Sequence, residues 1–179
     1  ALLAMSVHNL LRSRSLPMDT ELRPEQVRTT LNGLFPMEDQ GGNYFTIWYG
    51  VFEKSSRTLS YASGGHPPAL AFNVTSGGTW ECTRLATHGR PIGMFTDCDL
   101  EFDSYRVPPG CRMVLFSDGA FEFTLADGQQ FSLGEFTSLA TQFAASATFS
   151  IDTVIEQLRN RAASGILDDD CSLIAADFA

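Results

Sequence analysis

An α+β layered domain is the fold class that this sequence predicts, and three observations predict it. Apolar residues recur at helical spacing near both ends, short aromatic and β-branched runs joined by small polar turns fill the middle, and a last strand-like run closes the chain. At 179 residues the chain is long enough for one domain with a sizeable core and short for two. No internal repeat or low-complexity linker interrupts it, so residues 1–179 read as a single domain.

The elements come in order. Leu2, Leu3, Met5, Val7, Leu10 and Leu11 crowd a helix-like stretch that ends at the breaker cluster Ser13–Pro17. Pro24 suits a first helical turn, and Val27, Leu31 and Leu34 continue at helical spacing before Pro36 and Gly41-Gly42 end the helical part. Tyr44–Phe52 and Thr58–Ala62 read as one antiparallel hairpin. Leu70–Val74 and Thr79–Leu85, joined by Thr75-Ser76-Gly77-Gly78, read as another. Leu100–Val107 and Arg112–Phe116 extend this meander on either side of Pro108-Pro109-Gly110. Helical patterning returns over Leu133–Ala145 and Ile151–Ala163, with Ser150 or Asp152 available as a cap, and Cys171–Phe178 is the closing strand.

Composition excludes several classes of function. Hydrophobic residues make up 44% and charged residues 18% of the chain, a globular balance. A formal net charge of −9 argues against a nucleic-acid surface, which needs clustered Lys and Arg. No apolar stretch approaches the roughly 20 residues of a membrane span, so no membrane insertion is expected. The opening Ala-Leu-Leu-Ala-Met has no basic region before it and no cleavage site after it, unlike a signal peptide. Cys82, Cys98, Cys111 and Cys171 form no CxxC pair, which favours reduced thiols in a cytoplasmic protein. His8, His66 and His88 are too dispersed for a zinc signature.

Chemistry concentrates in two acidic clusters at strand ends. Ser117-Asp118-Gly119 closes the apolar run Met113–Phe116, and Asp168-Asp169-Asp170 opens the final strand. Carboxylates at such places can hold a hard divalent cation through oxygen ligands. Each cluster also has a plain reading. Asp-Gly is a favourite of hairpin turns, as Asp127-Gly128 is taken to be, and an acidic run is usually a solvated turn. The run before Asp118 is continuously apolar, as in a strand buried on both faces, and three adjacent carboxylates repel one another unless a cation relieves them. Two glycine-rich corners stand apart. In Ser63-Gly64-Gly65-His66-Pro67-Pro68, His66 is a ligand, a base or a structural residue; in Gly89-Arg90-Pro91-Ile92-Gly93, Arg90 pairs with phosphate or lies solvated.

Four of these segments, in order, carry a resemblance. Tyr61–Pro68 resembles a "Tyr-Ala-Ser-Ala-Gly-His-Pro-Pro" corner, and Gly89–Gly93 a "Gly-x-Pro-Leu-Gly" segment. Ser117–Glu122 resembles "Ser/Thr-Asp-Gly-Val-x-Glu", and Asp169–Leu173 resembles "Asp-Asp-Ile-Thr-Leu". All four belong to the PPM-type (type 2C-like) metal-dependent serine/threonine protein phosphatases, and the likeness is to their bacterial SpoIIE/RsbU-like branch. The resemblance implies a four-layer αββα sandwich of two mainly antiparallel sheets flanked by helices. It implies two Mg²⁺ or Mn²⁺ ions with Asp118 and Asp169 as catalytic metal ligands, and Gly119 and Asp170 in the outer shell. It further implies a metal-activated water that hydrolyses phosphoserine or phosphothreonine on a regulatory protein, an anti-sigma-factor antagonist, with a sensor or receiver domain upstream.

The chain also departs from the family pattern. In the family, further aspartates on the first strands and in an "Asp-x-x-Gly-His-Gly" turn complete the centre. Nothing between residues 1 and 60 replaces that turn, since Asp19 and Asp39 sit in other contexts. Glu53 and Cys111 stand where Asp is usual, at positions that are not ligands. The expectation is a domain without its N-terminal strands and first metal motif, nearly inactive alone. An apolar first helix stripped of neighbouring strands leaves surface that a homodimer would bury. The competing readings are a pseudophosphatase that binds a sigma-factor regulator without catalysis, and a non-enzymatic cation-binding domain.

Overall fold

The computed structural model describes residues 2–13, 16, 23–95, 101–146 and 149–179, with side chains from residue 5 onward. Ala1, most of the Ser13–Pro17 breaker, Asp19, Cys98 and the Leu100 start of a strand lie outside the described residues. The chain forms two compact units, one of residues 1–66 and 86–106, the other of residues 67–85 and 107–179.

The first unit holds α1 (Leu2–Ser13), α2 (Pro24–Leu34) and a sheet in the order β1 (Ile47–Glu53), β2 (Thr58–Gly64), β5 (Asp103–Arg106). Pro24 occupies the first turn of α2, where its missing N–H costs nothing. Val27 and Leu31, four apart on one face, are fully buried with Val7, Leu16 and Ile92. Phe35, Phe45, Ile47 and Tyr49 pack against that cluster, so α2 covers one face of the sheet. On the strands, Trp48 stacks on Tyr61 with ring centroids 5.6 Å apart. The Tyr61 hydroxyl donates to Asp103 at 3.1 Å; burial first, and then the Asp103 charge, push its pKa up to about 12.

Two polar side chains fasten α2 to the glycine corners. Asn32 donates to the Phe95 carbonyl at 2.9 Å and accepts from Gly93 N–H at 2.8 Å. Buried Arg28 donates through Nη1 to the carbonyls of Ser63 and His88, while its Nε and Nη2 have no hydrogen-bond partner among the described residues. A side chain at Gly89 would strike the Ser63 carbonyl and the Arg28 guanidinium, which is why that corner needs glycine.

The second unit holds a sheet in the order β4 (Trp80–Leu85), β3 (Ala69–Val74), β6 (Cys111–Phe116), β7 (Leu173–Phe178), with α3 (Leu133–Ala144) and α4 (Ile151–Arg159) against it. Leu70, Phe72, Val114 and Phe116 from its central strands meet Phe123, Phe136, Leu139, Val154 and Leu158 in one core. A capping box starts α3, Ser132 and Glu135 each accepting from the other's backbone N–H. On the sheet, Arg112 grips Asp177 through two bonds of 2.6 and 3.0 Å while its guanidinium lies 4.2 Å over the Phe149 ring.

The expected α+β class, with two antiparallel sheets flanked by helices, is what the structure shows. Four local expectations are corrected. The strands do not run as one meander: β5 pairs with β2, and β3 pairs with both β4 and β6. Pro67 and Pro68 lack the N–H groups that would continue the first ladder, and the chain crosses to the other unit there. Ser150 makes no side-chain cap. The last helix stops at Arg159 rather than Ala163, because Ala162 bridges Leu125 and Ala163 N–H donates to the Thr124 carbonyl. The first strand begins at Ile47, with Phe45 reduced to an isolated bridge to Ile92.

Two outcomes check this packing. Leu31→Ala should lower unfolding free energy by about 2–5 kcal/mol, the range for emptying a closed aliphatic site; denaturant titration measures it. The Arg112 hydrogen bonds, more than its charge, hold the Asp177 carboxyl below its ordinary range. A depressed folded-state pKa stabilises above the unfolded value and is lost as pH falls through the folded one. Wild type should therefore lose stability over Asp177→Asn on acidification below the ordinary aspartate range, and the two should run parallel near neutrality.

Candidate metal centre

One antiparallel pairing sets the geometry of the candidate site. Strand β6 ends at Phe116, opposite Leu173 at the start of β7, so the residues leaving β6 lie beside those entering β7. Ser117 and Asp170, 53 residues apart in sequence, are thereby in contact. The Ser117 N–H donates to the Ser172 carbonyl at 3.0 Å. Its hydroxyl donates to the Asp170 carbonyl at 3.0 Å and accepts from Ser172 N–H at 2.9 Å.

Asp118 opens a short 3₁₀ turn, Asp118–Ala120, whose carbonyl takes the N–H groups of Phe121 and Glu122. The hairpin-turn reading of Asp118-Gly119 is thus excluded, whereas Asp127-Gly128 is a tight turn, with Gly128 at φ 83°. Gly119 is buried face to face with the other cluster: a Cβ there would lie 2.6 Å from the Asp170 carbonyl oxygen and 3.0 Å from that of Asp169. Ala120 and Phe123, both fully buried, form an apolar floor under the turn.

The four acidic side chains have different tasks. Asp118 and Asp169 are exposed, each with Oδ1 accepting the N–H of its successor, at 3.0 and 2.7 Å. Asp170 is exposed and contributes its backbone carbonyl to Ser117. Asp168 is turned to Thr124, accepting from its N–H at 2.9 Å and its hydroxyl at 3.0 Å. The repulsion expected among three adjacent carboxylates is therefore eased on one of them by hydrogen bonds. Neither the Thr124 latch nor the Ser117 hydroxyl bridge was anticipated from sequence. Ser117 lay inside the motif that signalled the site; Thr124 carried no signal.

Carboxylate oxygens suit a hard divalent cation in kind. In number they are few: among the described residues no group of three or more His, Cys, Asp or Glu side chains is arranged to hold a metal ion. Asp118 and Asp169 supply exposed oxygen donors of the kind such an ion takes, one at each of the two joined strand ends. Burial pushes the neighbouring Cys171 thiol up, against a smaller pull from Arg159, which disfavours the thiolate a nucleophile needs. His66 and Arg90 lie in the first unit, half-buried and exposed respectively, with the Arg90 guanidinium 4.5 Å over the Phe95 ring. Asp39 falls in a 3₁₀ turn of that same unit.

The fold is that of type 2C-like phosphatase domains. The structure superposes on the SiaA-PP2C domain of Pseudomonas aeruginosa with a TM-score of 0.73 at 16% identity, over 100% of this chain and 69% of that one. Against the SpoIIE phosphatase domain of Bacillus subtilis, from a manganese-presoaked crystal, the TM-score is 0.56 at 14% identity, over 98% of this chain and 73% of that one. Sequence narrows the class. The family model described as Stage II sporulation protein E (SpoIIE) matches residues 1–179, and the chain belongs to that family. It is 27% identical over 114 residues to phosphoserine phosphatase RsbU of Bacillus subtilis, a match covering 64% of this chain and 33% of RsbU. The chain thus spans about a third of that relative's length.

The contact at Gly119 can be tested by itself. Gly119→Ala should force the Asp169-Asp170 backbone away and lower stability by about 1–3 kcal/mol, the usual cost of overpacking. Chemical denaturation measures the loss.

Proposed function

We propose that the protein carrying this chain is a metal-dependent phosphatase that removes phosphate from phosphoserine or phosphothreonine on a regulatory protein. The observation that carries the reading is the direct packing of Ser117-Asp118-Gly119 against Asp169-Asp170 at the joined ends of β6 and β7. Family membership and the name of the relative RsbU support the same chemistry. Residues 1–179 are read as part of one phosphatase domain.

In this proposal Asp118 and Asp169 hold Mg²⁺ or Mn²⁺, two ions in the complete site, and Asp170 accepts from their outer hydration shell. When bound, such ions activate water and neutralise charge on the transferred phosphoryl group. The chain's own part is to orient. The 3₁₀ turn aims Asp118 outward, the bare Gly119 lets Asp169 approach, and the apolar floor of Ala120 and Phe123 fixes both from beneath. Burial of the half-buried Cys171 beside the site pushes its thiol pKa up, away from the thiolate that a cysteinyl-phosphate route would need. Two carboxylates leave a cation mostly hydrated, so the 179 residues alone are proposed to turn over little.

The proposed substrate is an anti-sigma-factor antagonist, with a sensor or receiver domain upstream setting activity in the cytoplasm and a homodimer as the assembly. The structure's described helices include none long and apolar enough to cross a membrane. The test is Mn²⁺-dependent phosphate release from a phosphoserine protein by the full-length enzyme. Changing outer-shell partners of a metal costs about 10–100-fold, so Asp118→Asn should cost at least that. Equal, measurable rates in the two proteins would remove Asp118 from the mechanism, whereas no phosphate release by the full-length protein would favour a pseudophosphatase.

A further inference from the structure

We propose that Ser117 and Asp168 are positioning residues, a two-point clamp that holds the Asp169 segment against the Asp118 turn and thereby sets affinity for a divalent cation. The proposal rests on the reading of Asp118 and Asp169 as ligands and adds two residues that touch neither cation nor substrate. One fastening is the Ser117 hydroxyl, whose donor and acceptor are both used on the far strand, at 3.0 Å to the Asp170 carbonyl and 2.9 Å from the Ser172 N–H. These two bonds flank Cys171 and extend the β6–β7 pairing past its last ladder residues, Phe116 and Leu173.

The second fastening is the Asp168 carboxylate. It takes both donors of Thr124, and Thr124 is anchored in turn: its carbonyl accepts from Ala163 N–H at 2.9 Å and its hydroxyl from Gln130 at 3.0 Å. Asp169 therefore sits between a residue tied to Thr124 and a residue tied to Ser117. The physical need is clear from charge. Asp168, Asp169 and Asp170 are all exposed, and mutual repulsion among carboxylates drives such a segment to splay. A cation shared with Asp118 needs the opposite, Asp169 held close before the ion arrives, because ordering it at binding would subtract from affinity.

Manganese affinity of the full-length protein, read by electron paramagnetic resonance of the free ion, tests the clamp alongside the rate. Ser117→Ala and Asp168→Ala should each weaken Mn²⁺ binding by about tenfold, as loss of outer-shell support does. Ser117→Thr, which keeps the hydroxyl, should bind as wild type, and Thr124→Val should weaken binding in the direction of Asp168→Ala. Saturating Mn²⁺ should restore kcat to both alanine variants and not to Asp118→Asn. Wild-type Mn²⁺ affinity in Ser117→Ala and Asp168→Ala, with affinity lost in Asp118→Asn, would overturn the clamp and leave the ligand reading standing. Wild-type affinity in Asp118→Asn would overturn the ligand reading itself. Should Ser117→Ala fail to fold, the exposed Asp168→Ala and half-buried Thr124→Val decide the matter.

Discussion

The candidate site depends on the antiparallel register of β6 and β7. Because Phe116 faces Leu173, the residues that leave one strand and enter the other must emerge side by side. A shift of one residue would swap the faces of every side chain, and it would take the buried Val114 and Phe116 out of the core they share with Phe123, Phe136 and Leu158. The register is thus set by the hydrophobic core of the second unit, and the acidic residues inherit their positions from it. Ser117 then continues the pairing beyond the ladder with its own hydroxyl, and Gly119 allows the closest approach.

Stability and chemistry are divided along this seam. Inward lie Phe116, Ala120 and Phe123, which are buried and inert; outward lie Asp118, Asp169 and Asp170, which are solvated and carry the charge. The exposure spares the carboxylates the desolvation cost that burial would impose. Hydrogen bonds from neutral groups join the two strand ends: the Ser117 hydroxyl donates to the Asp170 carbonyl and accepts from Ser172 N–H, and Thr124 donates to the Asp168 carboxylate.

The first unit meets a comparable problem with different means. Its two glycine corners are irregular backbone whose carbonyls and N–H groups need partners. Arg28 and Asn32, one turn apart on α2, reach in and supply them at Ser63, His88, Gly93 and Phe95. These corners carried two of the four motifs that linked the sequence to its family. In the structure they are helix-to-sheet fastenings, with His66 and Arg90 at their margins.

Most of the fold was legible in sequence because it is written in local signals. Pro24 starts a helix, Gly77-Gly78 turns a hairpin, and apolar residues at period 3.6 or 2 mark which face is buried. Within the candidate site, Asp118 and Asp169 stood out in sequence, since a carboxylate at the mouth of a strand is conspicuous. What only the tertiary structure decided is partnership. That β5 joins β2 rather than β6, that Asp168 serves Thr124, and that the Ser117 hydroxyl bridges 53 residues to Asp170 depend on long-range pairing. No local pattern encodes these contacts, because the residues on each side would look the same with any other partner.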